Sequence, residues 1–174
     1  TWGLTMYNDS FIQSTGGNIS ITSSGTSGGF YANTTGGIYA SSNTSTRTAT
    51  PTAGGTLTIN ATGGSGYGIQ IPAGSLISFG AMSLTATAVW EGIYIYGTAD
   101  PVRSVGNLTL SSTISGASQW GIYLSNSRIL QSTAGNIDIT SSSALGHGVY
   151  ISGGGLVAGN DTTTPTAGGN IAIN

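Results

Sequence analysis

The chain repeats a short alternation of apolar and polar positions, and this alternation predicts strands. Each copy begins with a glycine, an apolar residue, any residue and a second apolar residue, which we call the first signature. It starts at Gly3, Gly29, Gly68, Gly92, Gly121 and Gly148. Because successive side chains of a strand point to opposite faces, the two apolar residues of each copy share one face. The first signature therefore predicts a short, half-buried strand in each copy.

A second signature follows later in each copy, where a glycine, usually with asparagine after it, precedes another apolar–any–apolar run. It starts at Gly17, Gly55, Gly80, Gly106, Gly135 and Gly169. We expect these glycines to turn a corner with a positive φ, which other residues avoid. The asparagines are Asn18, Asn107, Asn136 and Asn170. We expect their stacked amides to form a structural ladder of hydrogen bonds from copy to copy.

An apolar position between the two signatures predicts a third strand in each copy. It recurs at Phe11, Ile38, Leu76, Val102, Ile129 and Leu156. Self-similarity at a period of roughly 20–50 residues is typical of solenoids. The pattern predicts an all-β fold, a single-stranded parallel β-helix (β-solenoid) of about six three-strand coils, with a right-handed sense expected. A β-sandwich fits less well, because its strands would not need the same turn residues at corresponding places.

Alternation in the fifth copy assigns its side chains to two faces. We expect Ile122, Leu124, Ile137 and Ile139 to point inward, with Tyr123 and Asp138 pointing outward. A helical alternative fails, because 30 glycines are far too many for helices.

The repeats run through residues 1–174 without a linker, which predicts one solenoid domain. Two insertions, 41–54 and 158–168, both end in Thr-Pro-Thr-Ala-Gly-Gly (50–55 and 164–169) and should leave the coil at the same corner. We expect both ends to be uncapped, so that end-to-end contact would join Ile19 and Ile21 of one chain to Ile171 and Ile173 of another. The partner would be a second copy of the chain or neighbouring repeats of a longer one.

Composition narrows the function classes. Only 5% of residues are charged, the formal net charge is −2, and cysteine is absent. The only basic side chains besides the single histidine are Arg47, Arg103 and Arg128, so no basic stripe for nucleic acid is expected. No apolar run reaches the roughly 18 residues of a membrane span, so membrane insertion is not expected.

Catalytic and metal-binding patterns are also missing from the sequence. The five acids are Asp9, Glu91, Asp100, Asp138 and Asp161. No two of them fall in one column on adjacent coils, as paired carboxylate catalysis would need. His147 is the only imidazole, and we expect it to stack with aromatic residues rather than to hold a metal. We therefore predict no enzyme activity, cofactor or metal; a degenerate carbohydrate enzyme is the weakest alternative.

Aromatic residues gather at two outward positions beside the first signature. One set is Tyr31, Tyr94, Tyr123 and Tyr150; the other is Trp2, Tyr67 and Trp120, with Trp90 one place earlier beside Glu91. Stacking of rings between coils would stabilise the sheet. The other interpretation is a binding strip for a glycan or a neighbouring rod, since Tyr and Trp are favoured contact residues.

Two blocks of the sequence suggest a family. Gly-Asn-Ile-Asp-Ile-Thr at 135–140 and Gly-Val-Tyr-Ile-Ser at 148–152 resemble repeats of filamentous-haemagglutinin-like adhesins. Those are large bacterial β-helices secreted by two-partner or autotransporter routes, and the resemblance in repeat style covers nearly the whole chain. It implies a non-catalytic extracellular or cell-surface rod, which stacks into a filament or forms part of an adhesin stalk. The alternative is a glycan-binding adhesin module that uses the aromatic edge.

Overall fold

The fold is built from parallel strands. A computed structural model describes residues 1–42, 52–97, 101–116, 120–126, 128–160 and 168–174. Every regular element in those ranges is a β-strand, and the strands pair in parallel, each with its equivalent in the next copy. The predicted β-solenoid is therefore confirmed.

The strands form two sheets. The first sheet holds the first and middle strands of each coil: β1 (Trp2–Asn8), β2 (Phe11–Gln13), β4 (Gly28–Ala40), β6 (Tyr67–Ser78), β8 (Glu91–Ile95), β9 (Val102–Ser104), β11 (Trp120–Ser125), β12 (Ile129–Ser132), β14 (His147–Ser152) and β15 (Gly155–Ala158). The second sheet is six-stranded: β3 (Ile19–Gly25), β5 (Leu57–Gly63), β7 (Met82–Ala88), β10 (Leu108–Ile114), β13 (Ile137–Ser143) and β16 (Ile171–Ile173). The long strands β4 and β6 each serve as both first and middle strand of their coil.

The core consists of columns of aliphatic side chains that rest on one another from coil to coil. Ile122 pairs with Ile93 on one side and Val149 on the other. In the second sheet Ile137 pairs with Leu108 and Ile171. The four residues predicted to point inward in the fifth copy are all fully buried, as expected. Each such side chain contributes about 1.5–3 kcal/mol to stability.

In two coils, the middle-strand residue that lies in the core column is not the predicted one. Ile12 pairs with Ile38, and Leu130 pairs with both Val102 and Leu156. The predicted Phe11 and Ile129 stand one residue earlier and are exposed. Two consecutive apolar residues satisfy the alternation equally well, and only the pairing between strands selects the second of them.

The second signature requires glycine for a different reason from the one predicted. Among the described residues, the glycines with positive φ are Gly54, Gly74, Gly97 and Gly153, and the signature glycines are not among them. Instead, the corners stack so closely that a side chain would collide with the coil below. A Cβ on Gly55 would lie 2.4 Å from the carbonyl oxygen of Gly17, and one on Gly169 would lie 2.5 Å from Oδ1 of Asn136.

The first insertion leaves and rejoins the coil between β4 and β5. The amide of Ser42 donates to the carbonyl of Ala53 at 2.9 Å, and Gly55 donates to Ala40 at 3.1 Å. The second insertion lies between β15 and β16, which is the same corner of the coil. Residues 43–51 and 161–167 of the two insertions lie outside the described ranges.

Arg128 links successive coils from a fully buried position. Its Nε donates to the carbonyl of Tyr96 at 3.1 Å, and its Nη1 donates to the carbonyl of Gly74 at 3.3 Å. Its own carbonyl accepts from the amide of Gly155 at 2.9 Å. The sequence pattern gave no sign of this role, because the partners are backbone groups of other coils.

Candidate functional site

Two neighbouring columns on the outer face of the first sheet bring the predicted aromatic residues together. In one column, Tyr67 pairs with Glu91, and Trp120 pairs with His147. In the other, Tyr94 pairs with Tyr123 and Tyr123 with Tyr150. We call the connected rings the aromatic layer: Trp2, Tyr7, Tyr31, Tyr67, Trp90, Tyr94, Tyr96, Trp120, Tyr123, His147 and Tyr150.

Ring contacts run through the aromatic layer without a break from β1 to β14. Tyr123 and Tyr150 stack with centroids 5.3 Å apart and planes 13° apart. Tyr67 and Tyr94 stack at 5.7 Å and 15°. Offset stacked and tilted pairs at these separations attract one another, by about 0.5–1.5 kcal/mol each. The layer thus ties neighbouring coils together on the outside, as the aliphatic columns do on the inside.

Tyr7 and Tyr96 belong to the aromatic layer but were not among the predicted residues. Tyr7 contacts Tyr31 at 5.4 Å, and Tyr96 contacts Tyr94 at 4.4 Å. Each stands two residues after the outward position of its first signature. Period-two alternation places such residues on the same face, so the sequence did carry a signal for them.

Glu91 occupies a place in the aromatic layer where other coils carry a ring. It stands beside Tyr67 in the register and is only 5% exposed. Its Oε2 is buried and has no hydrogen-bond partner among the described residues. Burial raises the pKa of Glu91 from 4.5 to about 7. The pKa of the Tyr94 hydroxyl is raised to about 12. Burial is the largest cause, followed by the nearby Tyr123 and the Glu91 carboxylate.

The raised pKa makes stability depend on pH in a definite direction. The contribution of Glu91 to stability is fully present below pH 4.5, where Glu91 is protonated in both states, and it is lost as pH rises through about 7. We expect the free energy of unfolding to drop by about 3 kcal/mol across this window through Glu91. Glu91→Gln should remove that part of the slope, as measured by urea unfolding of both proteins from pH 4 to 8. Parallel pH profiles for the two proteins would contradict the assignment.

The asparagine column makes hydrogen bonds along the rod. Oδ1 of Asn18 accepts from the backbone amide of Thr56, Oδ1 of Asn107 from Asn136, and Oδ1 of Asn136 from Asn170, each at 2.9 Å. The donor in each bond is the backbone of the next coil rather than a second side-chain amide. We call these bonds the asparagine ladder.

Two of the other acids lie within the described residues. Asp9 accepts a hydrogen bond from the Thr35 hydroxyl, and Asp138 lies on the outer face of β13. Asp100 and Asp161 lie outside the described residues. Across the part of the chain that the structure describes, no three His, Asp or Glu residues could hold a metal ion. In the same ranges there is no helix long and apolar enough to cross a membrane.

No family model, curated protein or solved structure matches the chain.

Proposed function

We propose that this protein is a non-catalytic structural rod of the bacterial cell surface or exterior, in which further coils stack on the coils described above. The observation that carries the proposal is the stacking of the coils, in which each described strand pairs in parallel with its equivalent in a neighbouring coil. Ile171 and Ile173 of β16 are 45% and 51% exposed, whereas their partners Ile137 and Ile139 are fully buried. One more coil on β16 would bury both side chains and pair its free edge.

The opposite end offers a less apolar surface. Ile19 of β3 is already buried and Ile21 is half-buried. Leu4 and Ile12 in the first sheet are partly buried against the core. Of the four predicted end-contact residues, Ile171 and Ile173 therefore have most to gain from a stacked coil. The added coil would come either from a second copy of this chain or from neighbouring repeats of a longer one.

A substitution at β16 tests the role of this end. Wild-type protein, examined by electron microscopy at rising concentration, is expected to form rods longer than one molecule. Ile171→Lys should abolish them, because a charge would be buried at the junction. Leu145→Lys is the matched control, since Leu145 is 78% exposed in the turn before β14.

Rods that persist in Ile171→Lys would contradict docking through β16. Wild-type protein that stays monomeric at every concentration would exclude a second copy as the source of the added coil. The proposed rod would then require neighbouring repeats, and a chain extended by one repeat at its carboxyl end should unfold at a higher urea concentration.

Glycan binding by the aromatic layer is the second candidate. The exposed rings of Trp90 and Tyr150 favour it, because a sugar could reach them. Most other rings in the layer are partly covered by their neighbours in the stack, which favours a structural role for them. The structural rod accounts for the whole layer, whereas glycan binding would use only its exposed members.

A further inference from the structure

One oxygen of the Glu91 carboxyl is a buried acceptor without a donor among the described residues. Glu91 stands beside Tyr67 in the sheet, and its Oε2 finds no hydrogen bond in the described ranges. A buried acceptor that lacks a partner is costly, and a buried carboxylate more so. Buried polar groups of folded proteins are nearly always hydrogen-bonded, so this oxygen calls for a donor.

The chain itself is poorly supplied with cations for this position. It has no lysine, and its three arginines are Arg47, Arg103 and Arg128. Arg103 donates to Gln131 at 2.9 Å, and Arg128 donates to backbone carbonyls of the buried coils. Arg47 lies in the first insertion, outside the described ranges. A second copy would bring the same two described arginines, so the missing donor fits a different molecule better.

The surroundings of Glu91 select the kind of donor. Tyr67 and Trp90 contact each other with centroids 5.5 Å apart, and Tyr67 stacks on Tyr94. Rings of this kind attract a cation placed over their faces. The unpartnered oxygen needs an N–H as well, which a primary ammonium group supplies and a quaternary one lacks. Trp90, the residue before Glu91, is exposed, so an incoming group can reach its ring.

We propose that Tyr67, Trp90, Glu91 and Tyr94 bind the primary ammonium group of another molecule. The same chemistry is offered by a lysine side chain of a partner protein and by a small alkylamine. This proposal is independent of rod assembly, because the four residues lie on the side of the rod rather than at its ends.

Titration of the full chain with n-butylammonium at pH 8 tests the site, with tryptophan fluorescence as the readout. Tryptophan fluorescence suits this titration, because Trp2, Trp90 and Trp120 all belong to the aromatic layer. We expect saturation with a Kd on the order of 1 mM. Neutral 1-butanol should give no saturable change, and tetramethylammonium should bind roughly tenfold more weakly because it cannot donate a hydrogen bond.

The variant Glu91→Gln separates the carboxylate from the rings. It should weaken n-butylammonium binding by roughly tenfold or more. Its fold can be checked independently, because removing this buried charge is expected to stabilise the protein at pH 8. Trp90→Ala should also weaken binding while leaving Glu91 in place.

Binding by the wild-type protein should strengthen from pH 5.5 to 8 as Glu91 ionises. The titratable groups that interact with Glu91 are the hydroxyls of Tyr67 and Tyr94, and alkylammonium remains charged in this range. Burial raises the pKa of Tyr67 and of Tyr94 above 10, so these two hydroxyls stay neutral.

A capped Ala-Lys-Ala peptide identifies the source of the ammonium group. Binding about tenfold tighter than that of n-butylammonium would indicate a protein partner, and equal binding would indicate a small amine. No saturable response to either probe, a response to 1-butanol of the same size, or unchanged affinity in Glu91→Gln would overturn the proposal.

Discussion

Gly135→Ala is expected to destabilise the protein by about 2–4 kcal/mol, although it adds a single methyl group. The new Cβ would lie 2.6 Å from both the backbone nitrogen and Oδ1 of Asn107, and 2.7 Å from the carbonyl carbon of Gly106. Backbone of a paired coil cannot move aside without disturbing the strands that follow. Any shift of Asn107 would also break its bond to the amide of Asn136 in the asparagine ladder.

Gly16→Ala is the matched control, because a Cβ at Gly16 would meet nothing within 4 Å. Its free energy of unfolding should stay within about 0.5 kcal/mol of the wild-type value in urea titrations. If both variants lost the same stability, the close stacking of the corners would not be the reason for glycine in this column.

Arg128→Met should destabilise the protein by about 3 kcal/mol. Methionine keeps much of the apolar volume but leaves the carbonyls of Gly74 and Tyr96 without the donors that Arg128 provides. Because these carbonyls belong to different coils, the loss should also reduce protection of their strands in hydrogen exchange.

Arg103→Met provides the comparison for Arg128, since Arg103 is only half-buried and donates through Nε to the Gln131 side chain. We expect a loss of about 1 kcal/mol for it in the same urea titrations. A loss for Arg103→Met as large as that for Arg128→Met would show that the buried contacts between coils have no special weight.

Alternation along the sequence was sufficient to predict the architecture and most of the core. Ile122, Leu124, Ile137 and Ile139 each follow a signature glycine at a fixed spacing, so one pattern determined both their strands and their faces. The same pattern failed at the middle strand of two coils, where apolar residues stand side by side. The choice between such neighbours depends on the partner strand, which a single copy of the repeat does not encode.

The features that the sequence did not reveal arise between coils. The signature glycines avoid backbone and amide groups of the coil below, a constraint invisible in the glycine's own conformation. Arg128 bonds to carbonyls 32 and 54 positions away along the chain. Glu91 is buried beside Tyr67 of the preceding coil, and a single copy of the repeat does not show which residues of other coils lie next to it.

The asparagine ladder also gives the molecule a direction. In each of its three bonds a side-chain oxygen of one coil receives an amide hydrogen from the next coil in chain order. At this corner the two faces of a coil are therefore unlike, because one presents the asparagine side-chain oxygen and the other presents the backbone amide that binds it. Two copies joined through the same face would place like groups against each other and would reverse their strands. If copies stack as proposed, the asparagine ladder would make them join head to tail, which yields an open fibre instead of a closed pair.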